Sequence, residues 1–459
     1  MHRRRKVIIS AAMIWVYALA VGPAASAADR DAGRPNILII VTDDQRFGTF
    51  GVMPKTSSML IHQGVSFPHA YGTTPLCCPA RASIFTGRYA HNHHVWLNSE
   101  RGWRKLDQRT TLQHHLHQNG YRTAIAGKYF NDWTLKARPP WFDRWWVFAP
   151  GDGGLGGYYN TSWNLNGRLR TIHSYSTDFV ADRAVGFIRS GEAHDRRPWL
   201  LYATPFAPHE PATPATRDDS ASVPRFRSTP AVRESDLSDK PPYARRSDLS
   251  LEQTLRLRTA QLRSLRAVDD LVARSVRTLR ATRELQRTLI VFVSDNGFFW
   301  EDHGLERKGP PYREGVRVPL VIRWTGHLPA GTVDGRAAAN IDIAPTVMDA
   351  AALRIPRRFP MDGRSLLERW HRSERLTEFH HVHTARPPTW AALETPDFHY
   401  IEYYGRSGVV TFREYYDLRT DPWELVNVLH DGVPGNEPAI TPLHRRLAEL
   451  RRCRADACP

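Results

Sequence analysis

The chain has 459 residues, 41% of them hydrophobic and 10% aromatic, with a formal net charge of +16. This length accommodates one large α/β domain with a smaller appendage, or two to three average domains, and the apolar content suits a substantial core. A basic surface favours polyanions such as nucleic acid, anionic lipid or sulfated polysaccharide. However, only 7 of the 63 basic residues are Lys, a bias that a GC-rich genome also produces, so charge alone assigns no partner.

Arg3, Arg4, Arg5 and Lys6 precede an apolar run of 16 residues, Val7 to Gly22, and Ala25-Ser26-Ala27 follows as an A-x-A site. This is the pattern of a signal peptide over residues 1–27, and the run is short for a membrane span. It predicts a secreted or extracytoplasmic protein cleaved after Ala27, with no stable membrane span and no nucleic-acid partner. Twin-arginine and general export both remain open. Removing the four leader charges leaves a mature chain of about +12.

Pro35 to Gln45 is an apolar run between turn residues, as in a strand buried on both faces of a parallel sheet. Asp43 and Asp44 stand at its carboxyl end, where ligands bind in open α/β sheets. Adjacent carboxylates there suit a hard cation, though a solvated turn would also carry them. Leu76 to Gly87 then reads as a helix start, with Pro79 at the first helical position and Gly87 as the stop. Cys77 and Cys78 would meet free N–H groups and Arg81 a turn later. That arrangement would either activate a thiol or hold a buried Cys pair.

Tyr89 to Val95 holds His91, His93 and His94, a polar substrate-facing loop rather than a metal cluster. Leu112 to Asn119 predicts a helix and Tyr121 to Ala126 a strand, with Lys128 just past its end. Residues 139–172, rich in Gly, Trp, Tyr and Asn, predict a long loop or irregular hairpin, its aromatics either stacking on sugars or packing on the core. A helix over Tyr175 to Ser190 and a buried strand over Pro198 to Thr204 lead to a proline-fixed loop that presents His209.

Residues 212–248 predict a surface excursion, and Leu251 to Thr282 one long helix or two. Thr288 to Gly297 repeats the first pattern, an apolar strand ending in Asp295 and Asn296. Two distant strands offering only oxygen ligands point to one shared ion. Lys308 and Tyr312-Arg313-Glu314 follow in a loop, Val318 to Trp324 is a further strand, and Asn340 opens a helix. The C-terminal part, with strands at Tyr400 to Tyr404 and Val409 to Tyr416, lacks strand–helix alternation. Cys453 and Cys458 suit a disulfide in an oxidising compartment.

Cys77-Cys78-Pro79-Ala80-Arg81 with Thr86-Gly87 resembles the C-x-P-x-R…T-G signature of the type I sulfatases, in the alkaline phosphatase superfamily. D-D-Q at 43–45, G-Y-x-T-A-x-x-G-K at 120–128, P-H-x-P at 208–211, S-D-N-G at 294–297, D-I-A-P-T at 342–346 and Y-D-L-x-x-D-P-x-E at 416–424 resemble the family in the same order. Cys77-Cys78-Pro79, His91-Asn92-His93, Tyr158-Tyr159-Asn160 and Val268-Asp269-Asp270 are most similar to the N-acetylglucosamine-6-sulfatase branch. The resemblance implies an α/β fold with a large mixed, mostly parallel sheet flanked by helices and a small C-terminal antiparallel subdomain. The expected division is 28–375 and 376–459.

The resemblance further implies Ca2+, or Mg2+, on Asp43, Asp44, Asp295, Asn296 and residue 77. Cys77 would be converted to Cα-formylglycine by a formylglycine-generating enzyme. One hydroxyl of its hydrate would attack sulfur, and the second would then expel sulfate from the sulfated enzyme. Arg81, Lys128 and Lys308 would stabilise the sulfate oxygens, and His209 would protonate the leaving group. Two departures stand out. Tyr129-Phe130-Asn131 follows Gly127-Lys128 where many sulfatases have W-H, leaving His91 or His93 as candidates for that histidine's role. The family's Y-E is here Tyr312-Arg313-Glu314, which leaves the role of Glu314 open, and His303 has no assignment. The implied substrate is a sulfated carbohydrate. A formylglycine-dependent phosphonate monoester or phosphodiester hydrolase is the nearest rival, and a basic polysaccharide-binding protein the non-enzyme alternative.

Overall fold

The structure, a computed structural model, describes residues 33–149, 157–194, 197–232, 234–245, 250–380 and 387–459. The expected signal peptide, residues 1–27, lies outside them, as does the middle of the aromatic stretch. Strand β1 (Asn36–Thr42) is buried along its whole length. Short β2 (Val65–Ser66) and β3 (Ala70–Tyr71) precede helices α1 (Cys77–Thr86) and α2 (Leu112–Gln118). β4 (Arg122–Lys128), β5 (Arg144–Phe148), β6 (Thr161–Leu165) and β7 (Arg168–Ile172) lead to helix α3 (Ser176–His194) and β8 (Trp199–Thr204). Helix α4 (Leu251–Ala281) and β9 (Thr288–Ser294) come next, then the β10 (Phe299–Trp300)–β11 (Glu306–Arg307) hairpin. β12 (Leu320–Trp324), β13 (Thr332–Val333), β14 (Ala338–Ala339) and helix α5 (Ile343–Ala350) complete the body.

Ten strands make one sheet in the order β13-β2-β12-β9-β1-β8-β4-β5-β6-β7. Its middle, β9-β1-β8-β4-β5, is parallel throughout, with antiparallel β12 on one side and β6–β7 on the other. Ile37, Ile39 and Val41 pack with Phe85, Leu112 and Val347, whereas Leu38 and Ile40 pack with Val180, Val268 and Leu271. Alternate residues therefore serve opposite helical layers, which is why the strand is apolar without interruption.

Three expectations are refined. Within the 139–172 stretch, the described residues complete the main sheet as β5, β6 and β7, with the hairpin of the two expected alternatives at β6–β7. Asn166 and Gly167, at φ 53° and 92°, form the two-residue turn of a β6–β7 hairpin. Tyr158 and Trp163 are buried there and pack the core. The 251–282 stretch is one helix, opened by a Ser250/Gln253 capping box, and Asp269 ties it to the backbone N–H groups of Lys55 and Thr56. The 212–248 stretch is mostly irregular but not merely superficial. Ala231, Lys240 and Ala244 are buried, and Lys240 Nζ donates to the Leu425 carbonyl at 2.7 Å.

At the C-terminus β15 (Arg375–Phe379), β16 (Thr389–Glu394), β17 (Phe398–Tyr404) and β18 (Val410–Asp417) form a four-stranded antiparallel sheet. Leu376, Leu393 and Tyr400 meet Leu447 and Leu450 of helix α6 (Ile440–Leu450) and the Cys453–Cys458 disulfide. Trp390, Ile401 and Tyr403 instead pack with Tyr71 and Tyr312 of the body. Among the described residues, no helix is long and apolar enough to cross a membrane.

Candidate active site

Thr42 pairs with Ser294 in the parallel β1–β9 register, so Asp43-Asp44 and Asp295-Asn296 emerge side by side at the carboxyl edge. Asp44 takes φ 65°, a left-handed step that turns the chain and lets its N–H donate to Asp295 Oδ1 at 3.1 Å. Asn296 Nδ2 donates to Asp44 Oδ1 at 2.7 Å, while Asn296 Oδ1 is buried without a hydrogen-bond partner. All four side chains are essentially inaccessible.

Helix α1 begins at Cys77, two residues earlier than the sequence suggests, so Pro79 is its third residue and Leu76 the cap. Gly87 ends it at φ 66°. Cys77 Sγ donates to Asp43 Oδ1 at 3.4 Å, and Lys308 Nζ donates to Cys77 Sγ at 2.9 Å. The thiol is nevertheless not activated. Burial, reinforced by Asp43, pushes it up to about 12 against the pull of Lys128 and Lys308. Arg81 does not relieve this, because its guanidinium is already committed. Nε meets Asp295 Oδ2 at 3.0 Å, Nη2 lies 3.3 Å from Asp43 Oδ2, and Nη1 donates to the Lys128 carbonyl at 2.8 Å.

Lys128 is the last residue of β4 rather than just beyond it, and its Nζ donates to Asp43 Oδ2. Lys308 Nζ donates to Asp44 Oδ1. Burial disfavours both ammonium groups, but Asp43 beside one and Asp44 beside the other outweigh it and keep them charged. His209 donates from Nδ1 to the Glu210 carbonyl at 2.6 Å, which leaves Nε2 facing Asp44 Oδ2 at 3.6 Å. Burial lowers its pKa, with Asp44 and Asp43 partly resisting. Tyr158 OH holds this loop by donating to the His209 carbonyl at 2.6 Å. Asp43, Asp44, Cys77 and His209 place one ligand atom each within 4.8 Å of one another. Above them a cavity of about 460 Å³ is lined by Asp44, His209, Glu210, Pro211, Phe298, Arg307 and Lys308.

His91 and His93 lie elsewhere. His91 meets Glu378 through Nδ1 at 3.0 Å and the Cys453 carbonyl through Nε2 at 2.9 Å, on the seam to the C-terminal sheet. His93 is buried, bonded through Nε2 to Ser83 Oγ at 3.1 Å. Of the candidate histidines, His209 is the one brought to the acids. Glu314 is grouped with His303 and Glu424 instead, its carbonyl accepting from the Phe298 N–H at 2.9 Å. Glu210, Arg307 and Phe298 at the cavity mouth escape sequence reasoning. The adjacency of Glu210 to His209 and of Arg307 to Lys308 was the available signal.

The sulfatase family model matches residues 35–353, and that of the N-sulphoglucosamine sulphohydrolase C-terminal region matches residues 301–453. The chain belongs to the sulfatase family. It is 33% identical over 367 residues to N-acetylglucosamine-6-sulfatase of Homo sapiens, covering 73% of this chain and 64% of that one. It is 35% identical over 363 residues to the extracellular sulfatase SULF-1 homolog of Drosophila melanogaster, covering 73% and 31%. The chain thus spans less than two thirds of either relative. A solved structure described as a complex with its substrate D-glucosamine-2-N,6-O-disulfate superposes with a TM-score of 0.75. It has 22% identity and covers 91% of this chain and 97% of its own, a likeness of fold.

Proposed function

We propose that the chain is an exported sulfuric ester hydrolase acting on sulfated sugars, N-acetylglucosamine 6-sulfate among them. Its nucleophile would be a formylglycine made from Cys77, and its metal Ca2+. The observation that carries this reading is the convergence of Asp43, Asp44, Asp295, Asn296, Arg81, Lys128 and Lys308 on residue 77 beneath an open cavity. The name of the human relative, N-acetylglucosamine-6-sulfatase, supports the substrate class, and that of the fly relative supports the reaction.

The donor set fits a hard cation: three carboxylates and an amide oxygen, that of Asn296 lacking any partner. Asp43, Asp44, Asp295 and Asn296 would hold Ca2+, with Mg2+ possible on the same oxygens. The ion would polarise the bound nucleophile and sulfate oxygens. The modified residue 77 would supply a hydroxyl nucleophile that the raised thiol pKa denies to cysteine itself. Arg81, Lys128 and Lys308 are three fixed cations against three carboxylates, so a divalent ion leaves the pocket net positive, as an anionic ester requires. They bind and orient sulfate oxygens at no reorganisation cost, since partners already hold each in place. As the imidazolium, which Asp44 and Asp43 favour against burial, His209 would carry a proton on Nε2 and deliver it to the leaving oxygen.

We further propose a catalytic unit over 28–375 and a C-terminal unit over 376–459, with cleavage after Ala27 and maturation by a formylglycine-generating enzyme. Mass spectrometry of the peptide spanning Cys77, taken from the native host, tests the central step, and an unmodified thiol there would leave only a polysaccharide-binding protein. Turnover of matched sulfate and phosphate esters decides the reaction. Dominant phosphodiester hydrolysis would replace the sulfatase reading with its phosphonate-hydrolase rival.

A further inference from the structure

We infer that the cavity mouth carries a second anion subsite, built on Arg307, that selects sugars bearing another negative group besides the scissile sulfate. This deepens the sulfatase reading and rests on it. Arg307 closes the β10–β11 hairpin, opposite Phe299, and adopts φ 64°, a left-handed conformation that side-chain-bearing residues rarely take. Regular strand geometry would send it away from its neighbour Lys308. The positive φ breaks that alternation, and both residues line the same cavity. Lys308 reaches down to Asp44 and Cys77, whereas the Arg307 side chain remains 62% exposed at the rim.

Its partner is Glu210. Arg307 Nε lies 3.0 Å from Glu210 Oε2, and Nη2 donates to Glu210 Oε1 at 3.3 Å, the two-pronged pairing a guanidinium makes with any planar or tetrahedral oxyanion. An exposed ion pair contributes little to stability, so this one is free to exchange. Glu210 is at the same time fixed by the loop whose carbonyl orients His209. The rim therefore holds a guanidinium whose present counter-ion a substrate sulfate or carboxylate could displace, next to the residues placed at the reacting ester. Lys308 and Arg307 being sequential, the two anions would sit on the same or adjacent sugar rings. A hexosamine with a second sulfate is the chemistry that fits, and Phe298 and Pro211 supply apolar wall in the same cavity.

The test compares one hexosamine 6-sulfate with the same sugar carrying a second, N-linked sulfate. In the calcium-loaded, Cys77-modified protein, R307Q should cut the ratio of kcat/KM for disulfated over monosulfated sugar by about tenfold, through KM. R307K should recover part of that ratio, and E210Q should raise it. An equal loss on both sugars, or a lower ratio in E210Q, would overturn the subsite. Calorimetric binding of the disulfated sugar to the C77A protein with and without R307Q separates this from the reaction itself. If the wild type cleaves no sulfate ester yet binds the disulfated sugar through Arg307, the sulfatase reading fails and the subsite stands. If binding is insensitive to R307Q, the subsite fails whatever the activity.

Discussion

Two buried clusters in this molecule look alike on paper. At the strand ends, Asp43, Asp44, Cys77 and His209 bring ligand atoms within 4.8 Å of one another; in the seam to the C-terminal sheet, His303, Glu314 and Glu424 do the same. Their surroundings differ. The first opens on a cavity of about 460 Å³ and shares three cations among its carboxylates. In the second, His303 lies 4.4 Å from the tilted Tyr312 ring, and His303 and Glu424 have local counter-ions, whereas burial raises the pKa of Glu314, whose Oε2 has no hydrogen-bond partner. Glu234 holds His303 Nδ1 at 2.8 Å, His399 Nδ1 meets Glu424 at 2.5 Å, and Arg46 pairs with Asp302. Buried charge is thus not itself a sign of chemistry. Charge at the carboxyl edge of parallel strands, facing open space, is.

Variants can break that contrast. C77A should lower sulfate ester turnover on the order of 10⁴-fold or more, measured as kcat, while thermal unfolding stays close to wild type. E424Q should do the reverse. Removing this carboxylate, pulled down to about 2 by His399 and Arg313 despite its burial, leaves His399 without its counter-ion. The expected cost is about 3–5 kcal/mol of stability by denaturant titration, with turnover per folded molecule retained. A comparable loss of kcat in E424Q would erase the distinction between the clusters.

Metal sharpens it next. At free Ca2+ about 100 times its Kd, binding to the native state alone adds about 2.7 kcal/mol, so chelation should lower the melting temperature of the wild type. D295N should abolish that response and E424Q should keep it. The smallest effect is at His91, whose pKa is raised by Glu378 in spite of burial, while His91 in turn lowers that of Glu378. The raised His stabilises fully below 6.5 and loses its contribution as pH rises through its folded value. The lowered Glu contributes above 4.5 and is lost as pH falls further. H91Q should therefore cost about 1 kcal/mol at mildly acidic pH and less in alkali, read as the difference in melting temperature across a pH series.

The strand-end site was legible because two apolar runs each stop at a pair of oxygen ligands, and a buried parallel strand leaves few other reasons for that. Lys128 was legible through the same logic at a third strand. The state of Cys77 was not. A helix start and Arg81 suggest an acidic thiol, but only the fold shows that Arg81 is tied to Asp43, Asp295 and the Lys128 carbonyl. Over β5 to β7 the sequence suggested only a long loop or an irregular hairpin, although Asn166-Gly167, between Thr161–Leu165 and Arg168–Ile172, is a regular hairpin signal in its own right. The surrounding Gly and Trp density obscured it. The seam cluster draws on Glu234, His303, Glu314, His399 and Glu424, and no local pattern joins positions so far apart.

The burial of Cys77 also sets an order of events. The residue is 0% exposed, with Asp43 at the end of β1 and Lys308 against its sulfur. On the proposed formylglycine maturation, an enzyme that oxidises Cys77 would have to reach the Leu76–Gly87 stretch while β9, more than 200 residues further along the chain, is still unpaired. Maturation and folding would then compete in time. A body that closed too early would lock in an inert thiol, so slowing closure should raise the yield of active molecules without altering one contact in the finished protein.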